Sequence, residues 1–326
     1  MVKASAPGKC ILFGEHAVVY GQPALACSIS QRMTIELEVE ETFEKWRLDG
    51  RTFNPKKHPH IDYLRNQLPP MEEQPIHIRI RGSIPKASGL GSSAALSVAL
   101  CGALQQLRGE DLNAMQASEL SHRAEANAQG GRASPMDTAT SSFGGFVVLS
   151  DTIEDDLEYL GVRTMDVEGA TLQWHLHTFN AEIPEGVALV IGNTGVHGST
   201  SSMVKQVADL LLKDPQRSVE LETIGAIARR GIQALKEGNM GAVGQAMTEN
   251  HMVLRSLGVS SPELERLIRA AAPSSLGVKL TGAGGGGCMI ALTMNPEETL
   301  GAIEMEGGRA FITHFNEPGL AIEHLI

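Results

Sequence analysis

"PKASGLGSSAALSVAL", residues 85–100, holds Gly89, Gly91, Ser92 and Ser93 between two segments of different period. Upstream, "IHIRIR" (76–81) alternates Ile76, Ile78 and Ile80 with polar residues, which is the pattern of a half-buried strand. Downstream, residues 94–107 are rich in Ala and Leu and predict a helix. A glycine turn that opens a helix leaves backbone N–H groups uncovered, and the helix dipole adds positive charge there. Such a turn either only reverses the chain or cradles an anion, most often a phosphate.

Outward from this turn, strands and turns are predicted over 1–40, from "CILFGEHAVVYGQPALACSI" and the alternating "MTIELEVE". "NPKKHPH" and "LPPMEEQP" flank a short helix, "IDYLRNQL", and a second helix is expected at about 112–129. "FGGFVVLS" (143–150) returns as a strand, 151–185 is acidic and irregular, and "TLQWHLHTF" is its best strand candidate. The pattern restarts with an apolar strand at 187–191, becomes helical over 202–272, and reaches a second glycine turn, "TGAGGGGCMIAL". Strand and helix alternate after it. A division near residue 180 gives two domains, 1–180 and 181–326.

A composition 42% hydrophobic and 20% charged is that of a soluble globular chain. No apolar run has the length of a membrane span, and "MVKASAPGKC" has no signal-peptide core, so a cytoplasmic protein without membrane contact is expected. Cys10, Cys27, Cys101 and Cys288 are dispersed and read as reduced, buried thiols. A net charge of −11 argues against a nucleic-acid partner, which requires a basic footprint. It leaves room for a small anionic ligand.

Four stretches concentrate chemistry. "SAPGKCILFGEHAVVYG" (5–21) brings together Lys9, Glu15 and His16, which could equally be surface residues of a hairpin. The second is the glycine loop of 85–95. In "EANAQGGRASPMDTATSSFGGF" (125–146), Glu125 near a helix end precedes Asp137 in a Gly/Ser/Pro-rich loop, where an Asp is commonly a cap. "KLTGAGGGGCMIAL" (279–292) places four successive glycines before an apolar strand. That density costs chain entropy and signals close backbone approach.

Other assignments fail on context. "GLGSSA" fits the dinucleotide fingerprint, but two helices follow where a second parallel strand is needed. "GAGGGG" precedes a strand rather than a helix, and neither GxxxxGK[ST] nor GxSxG occurs. Ser83–Lys86 and Ser202–Lys205 fit SxxK without its SDN and KTG partners, and His58/His60 and His175/His177 lack further zinc ligands.

"PGKCILFGEH", "PKASGLGSSAA", "SPMDTATSSFGG" and "KLTGAGGGGC" together resemble, in order and rough spacing, the motifs of the GHMP small-molecule kinases. The resemblance spans nearly the whole chain. "SAPGKCILFGEHAVVYG", the Asp137 segment and "NTGVHGST" (193–200) are most similar to members acting on mevalonate, especially the short archaeal ones, and no sugar-recognition motif is present.

The resemblance implies an α+β two-domain GHMP kinase fold. Its N-terminal domain would be like ribosomal protein S5 domain 2, its C-terminal domain α+β, with the active site in the cleft. It implies transfer from ATP, with Mg²⁺, to the 5-hydroxyl of mevalonate in isoprenoid biosynthesis. Ala87, Ser88, Gly89, Leu90, Gly91, Ser92 and Ser93 would wrap the ATP phosphates, and Ser93 and Glu125 would hold Mg²⁺. Glu125 and Asp137 stand one position further apart than is usual in the family, an insertion that "QGGRAS" can absorb. Asp137 would orient or deprotonate the hydroxyl, and Lys9 would lower its pKa and offset charge. Glu15, His16 and Thr200 would contact substrate, and Gly282, Ala283, Gly284 and Gly285 would form a backbone wall. Dimers are common in the family, which allows a homodimer here.

Two alternatives remain at this point. A relative acting on phosphomevalonate or mevalonate 3-phosphate would need extra cations, for which Arg132 and His197 are candidates. A non-catalytic ligand sensor of the same fold would not need Lys9, Ser93, Glu125 and Asp137 together.

Overall fold

The computed structural model describes residues 1–40, 44–70, 74–85, 88–129, 133–167 and 170–324. Ala87 and Arg132, together with the 71–73 part of the expected loop, lie outside the described residues.

Alternation builds the first sheet. β1 (Val2–Phe13) and the long β2 (Ala24–Val39) pair antiparallel, followed by the two-residue strands β3 (Arg47–Leu48) and β4 (Arg51–Thr52). α1 (Pro59–Gln67) precedes β5 (Ile76–Gly82), which pairs with β2 and buries Ile76 and Ile78, as its period requires. Three helices follow: α2 (Ser92–Leu107), α3 (Ala114–Ala128) and α4 (Pro135–Phe143). α2 is apolar on nearly every side because it runs through the core against β1, β2 and α3.

β6 (Phe146–Ser150), β7 (Glu158–Val167) and β8 (Ala170–Phe179) complete the excursion, in the order β4-β3-β5-β2-β6-β8-β7. The acidic segment expected to be irregular therefore contains a full strand, β7. It pairs antiparallel with β8, and the acids that give the region its character, Asp151, Glu154, Asp155 and Asp156, precede the strand.

The chain next enters a four-stranded antiparallel sheet of β9 (Ala188–Asn193), β10 (Gly277–Thr281), β11 (Cys288–Thr293) and β12 (Arg309–Thr313), in the order β10-β11-β9-β12. Between its strands come α5 (Thr200–Lys213), α6 (Ser218–Lys236), α7 (Met240–Ser256), α8 (Pro262–Ala271) and α9 (Pro296–Met305). Finally β13 (Ala321–His324) returns to pair antiparallel with β1 in the first sheet. One apolar cluster runs through both halves, from Phe13, Leu25 and Phe146 to Leu189, Met247 and Ile290. All four cysteines are free and buried, as expected. No described helix is long and apolar enough to cross a membrane.

Candidate active site

The β1–β2 pairing shifts register between Pro7 and Lys9. At Gly8 a Cβ would fall 2.9 Å from the Leu90 carbonyl, so β1 passes directly beneath the 88–91 loop. Lys9 N–H donates to Leu90 O, and Lys9 Nζ donates to Gly89 O, both at 3.0 Å. The same Nζ stands 3.2 Å from Asp137 Oδ1. Lys9 is 4% exposed and Asp137 32%, so a buried ammonium backs a carboxylate that reaches solvent.

Asp137 does not lie in a loop. It occupies the first turn of α4, which Ser134 caps by accepting Met136 N–H and Pro135 opens at the first helical position. The turn fixes its direction, and the helix dipole favours its negative charge.

Gly91 is the residue before α2, with φ +73°, and lacks a side chain to cap the helix. Gly89, at φ +77°, has no atom within 4 Å of the place a Cβ would take. The first turn of α2 thus presents its N–H groups on an open glycine edge with the positive dipole end behind them, a surface suited to an anion. Ser88 is buried, its hydroxyl donating to Pro85 O at 2.7 Å, while Leu90 is buried beneath the loop. Ser93 is exposed, and its hydroxyl lies 2.9 and 2.7 Å from the two carboxylate oxygens of Glu125. Ser97 Oγ and Gln129 Nε2 donate to the same carboxylate at 2.5 and 3.2 Å. Among the described residues Glu125 makes no ion pair, so three neutral donors hold a buried carboxylate.

Glu15 and His16 are buried, not part of an exposed hairpin. Glu15 Oε1 forms an ion pair with Lys279 Nζ, and Oε2 has no hydrogen-bond partner. Burial pushes the Glu15 carboxyl up and the Lys279 ammonium down, each opposed by the charge of the other. His16 Nε2 donates to Ala283 O at 2.8 Å, and burial lowers its pKa despite that bond. His16 also has φ +64°, a conformation that strains any residue with a side chain.

The second glycine turn packs as a wall. A Cβ on Gly284 would fall 2.0 Å from Val259 O, and one on Gly286 2.6 Å from Val196 O. Gly285 N–H and Gly287 N–H donate to those two carbonyls at 2.8 and 2.7 Å. A Cβ on Gly287 would lie 3.6 Å from Ser88 O, so the two glycine loops face each other. Gly198 touches Gly284 in the same manner, which sets "VHGST" against the wall. Thr200 then begins α5, exposed, and no described hydrogen bond joins it to Glu15 or His16. His197 is exposed as well.

Three further residues join the site. Lys279 is a lone charge in the apolar run of β10, a visible signal, but its partner lies 264 residues earlier. Ser97 sits one helical turn beyond Ser93, a spacing that puts both on one face of α2. Thr281 Oγ1 accepts from Ile11 N–H at 2.9 Å and donates to Ile11 O at 3.1 Å, joining the two sheets beside the site.

Residues 58–145 match the GHMP kinases N terminal domain and residues 232–304 the GHMP kinases C terminal family. The chain is 32% identical to mevalonate kinase of Pyrococcus furiosus, over 100% of this chain and 99% of that protein. It is 35% identical to mevalonate kinase of Methanothermobacter thermautotrophicus, over 88% and 89% respectively. Its fold is similar to the crystal structure of the Methanococcus jannaschii mevalonate kinase, with a TM-score of 0.78, 26% identity, and coverage of 97% of this chain and 98% of that one.

Proposed function

The chain belongs to the GHMP kinases, and on that premise we propose that it phosphorylates mevalonate with ATP, at the 5-hydroxyl. The observation that carries this reading is the 3.2 Å contact of Lys9 Nζ with Asp137 Oδ1 at the rim of the open Gly89 loop. Phosphoryl transfer asks little covalent chemistry of a protein, and a great deal of positioning and charge stabilisation. The amides that open α2 bind the ATP phosphates. Asp137 accepts or aligns the proton of the attacking hydroxyl. Lys9, kept in place by Gly89 O, holds Asp137 and offsets negative charge as the hydroxyl oxygen attacks.

Glu15, His16 and Thr200 bind the acceptor, and the backbone of Gly282, Ala283, Gly284 and Gly285 excludes water from that side. Lys9 and Lys279 are each committed to a carboxylate of the site, Asp137 and Glu15 respectively.

Ser93 and Glu125 fit Mg²⁺. They are adjacent hard-oxygen donors, and Mg²⁺ takes one or two protein ligands, filling its shell with phosphate and water. When bound, the ion neutralises phosphate charge. No described group of three or more His, Cys, Asp or Glu residues competes for a metal. The same reading takes residues 1–180 and 181–326 as the two domains, with β13 returned to the first. It places the enzyme in the cytoplasm, where ATP is supplied, and allows a homodimer.

The test is ADP release over a panel of small alcohols, with the phosphorylated position read by NMR. Mevalonate 5-phosphate should be the product. A preference of about tenfold or more for homoserine, galactose or a phosphorylated mevalonate, equivalent to a decade in kcat/KM, would overturn the assignment.

A further inference from the structure

The turn that carries Glu15 and His16 is held in a demanding conformation. Gly14 has φ +93°, and a Cβ there would fall 2.4 Å from Ala24 Cα; His16 has φ +64°. Such backbone persists only where its surroundings over-determine it. Bonds within the turn set the chain direction, with Ala17 N–H donating to Glu15 O at 2.7 Å and Val18 N–H to Gly14 O at 3.1 Å.

Further restraints come from the other half of the chain, one for each residue. Gly14 N–H donates to Asn250 Oδ1 at 3.3 Å, Glu15 pairs with Lys279, and His16 Nε2 donates to Ala283 O. Lys279 and Ala283 belong to the second glycine motif, whereas Asn250 lies on α7, outside every motif of the sequence.

Asn250 is fully buried on a helix whose other buried positions include Val243, Met247 and Leu254. Its Nδ2 has no hydrogen-bond partner, and its one described side-chain bond goes to Gly14. An amide with an unmade N–H is a poor filler for an apolar helix face, where Leu of similar size would be better tolerated. What the amide supplies, and Leu cannot, is the acceptor oxygen turned toward Gly14.

We propose that Asn250 is a positioning residue of the acceptor pocket, holding through Gly14 N–H the turn that presents Glu15 and His16. This rests on the reading of those two residues as acceptor contacts. The effect is specific to the acceptor, because Asn250 has no described bond to Lys9, Asp137, Ser93 or Glu125.

The experiment compares Asn250→Ala with His16→Ala and with Leu254→Ala, a core truncation on the same helix. Asn250→Ala should raise KM for mevalonate roughly three- to tenfold, the worth of one hydrogen bond, with kcat and KM for ATP little changed. The rise in Tm produced by mevalonate should shrink, and the rise produced by MgATP should persist. Leu254→Ala should lower Tm without moving KM, which separates positioning from stability. Should Asn250→Ala not fold, Asn250→Leu fills the volume without an acceptor and carries the same expectation. A raised KM in His16→Ala with an unchanged KM at Asn250 overturns the proposal alone. Unchanged KM in both variants overturns it together with the pocket assignment. A fall in kcat at unchanged KM in the Asn250 variant also overturns it.

Discussion

At the scale of single residues, the site rests on two lysines with different tasks. Lys9 touches a carboxylate that reaches solvent, whereas Lys279 pairs with one oxygen of the buried Glu15 carboxylate. Asp137→Asn keeps the shape of the first pair and removes the charge and nearly all basicity. Its kcat should fall by about 10²–10⁴, the usual worth of a positioned base, with nucleotide affinity nearly unchanged. Lys9→Met should show a loss of the same kind. The double variant should lose less than the product of the two, since groups acting as a unit are not additive. Single-turnover kinetics at saturating MgATP and mevalonate decide it; an Asp137→Asn enzyme with more than about a tenth of the wild-type rate, far above that range, would leave Asp137 a helix-turn residue. Glu125→Gln keeps a neutral acceptor for Ser93 and Ser97 but loses the anionic ligand, so the Mg²⁺ concentration for half-maximal turnover should rise; an unchanged requirement would remove Glu125 from the metal site. Lys279→Met tests stability instead. It strands the buried Glu15 carboxylate and should cost about 3–5 kcal/mol, with partial recovery in Lys279→Met/Glu15→Gln. Urea midpoints measure both, and equal midpoints for the single and double variants would mean that no charge had been stranded.

At the scale of elements, legibility followed how local each signal was. The strand before the first glycine turn and the helix after it were readable because a period of two switches to an Ala/Leu-rich run, and α2 begins within two residues of the expected start. The β7 strand was harder to read, because Asp151, Glu154, Asp155 and Asp156 just before it mask a segment, Glu158–Val167, that itself holds the strand formers Tyr159, Val162, Thr164 and Val167. α4 reads as a loop in the sequence because Gly, Ser and Pro dominate its surroundings, although Ser134–Pro135 is a helix-start signal. The four motifs were legible as a set, while the bonds that close the site were not: Lys279 and Asn250 meet the Gly14–Glu15 segment across more than two hundred residues. The second glycine turn also shows why its density is structural. Gly282 has φ +83° and open space where a Cβ would go, but Gly284, at φ +84°, has Val259 O at 2.0 Å. Gly282→Ala therefore carries backbone strain of about 1–2 kcal/mol, whereas Gly284→Ala adds a clash with backbone that cannot rotate away. Gly284→Ala should lose clearly more Tm than Gly282→Ala in a thermal melt, and equal losses would show that the wall yields at no cost.

At the scale of the whole molecule, the packing shared by the two halves predicts that they unfold together. The apolar cluster passes through both, β13 adds a strand to β1 from the far end of the chain, and Thr281 grips Ile11 across the sheets. Local acid damage is therefore felt globally. His16, His122, His177 and His251 are buried and His60 is half-buried, and burial lowers the pKa of each below the ordinary 6.5. Two of them need an unprotonated nitrogen: His177 Nε2 accepts Glu154 N–H at 3.1 Å, and His251 Nδ1 accepts Leu280 N–H at 3.5 Å. Between the lowered folded values and 6.5, the unfolded chain binds more protons than the folded one, so stability rises with pH in that window. The stabilisation is present above 6.5 and is lost as pH falls from there through the folded values. Thermal melts over the range from about pH 8 to pH 5, where histidine titrates, should show one transition whose Tm is flat on the alkaline side and falls on the acid side. His177→Gln keeps an acceptor without the titration and should flatten part of that fall. A Tm that holds or rises on acidification would mean that these histidines protonate in the folded protein without penalty, and that the bonds to Glu154 and Leu280 contribute nothing to its stability.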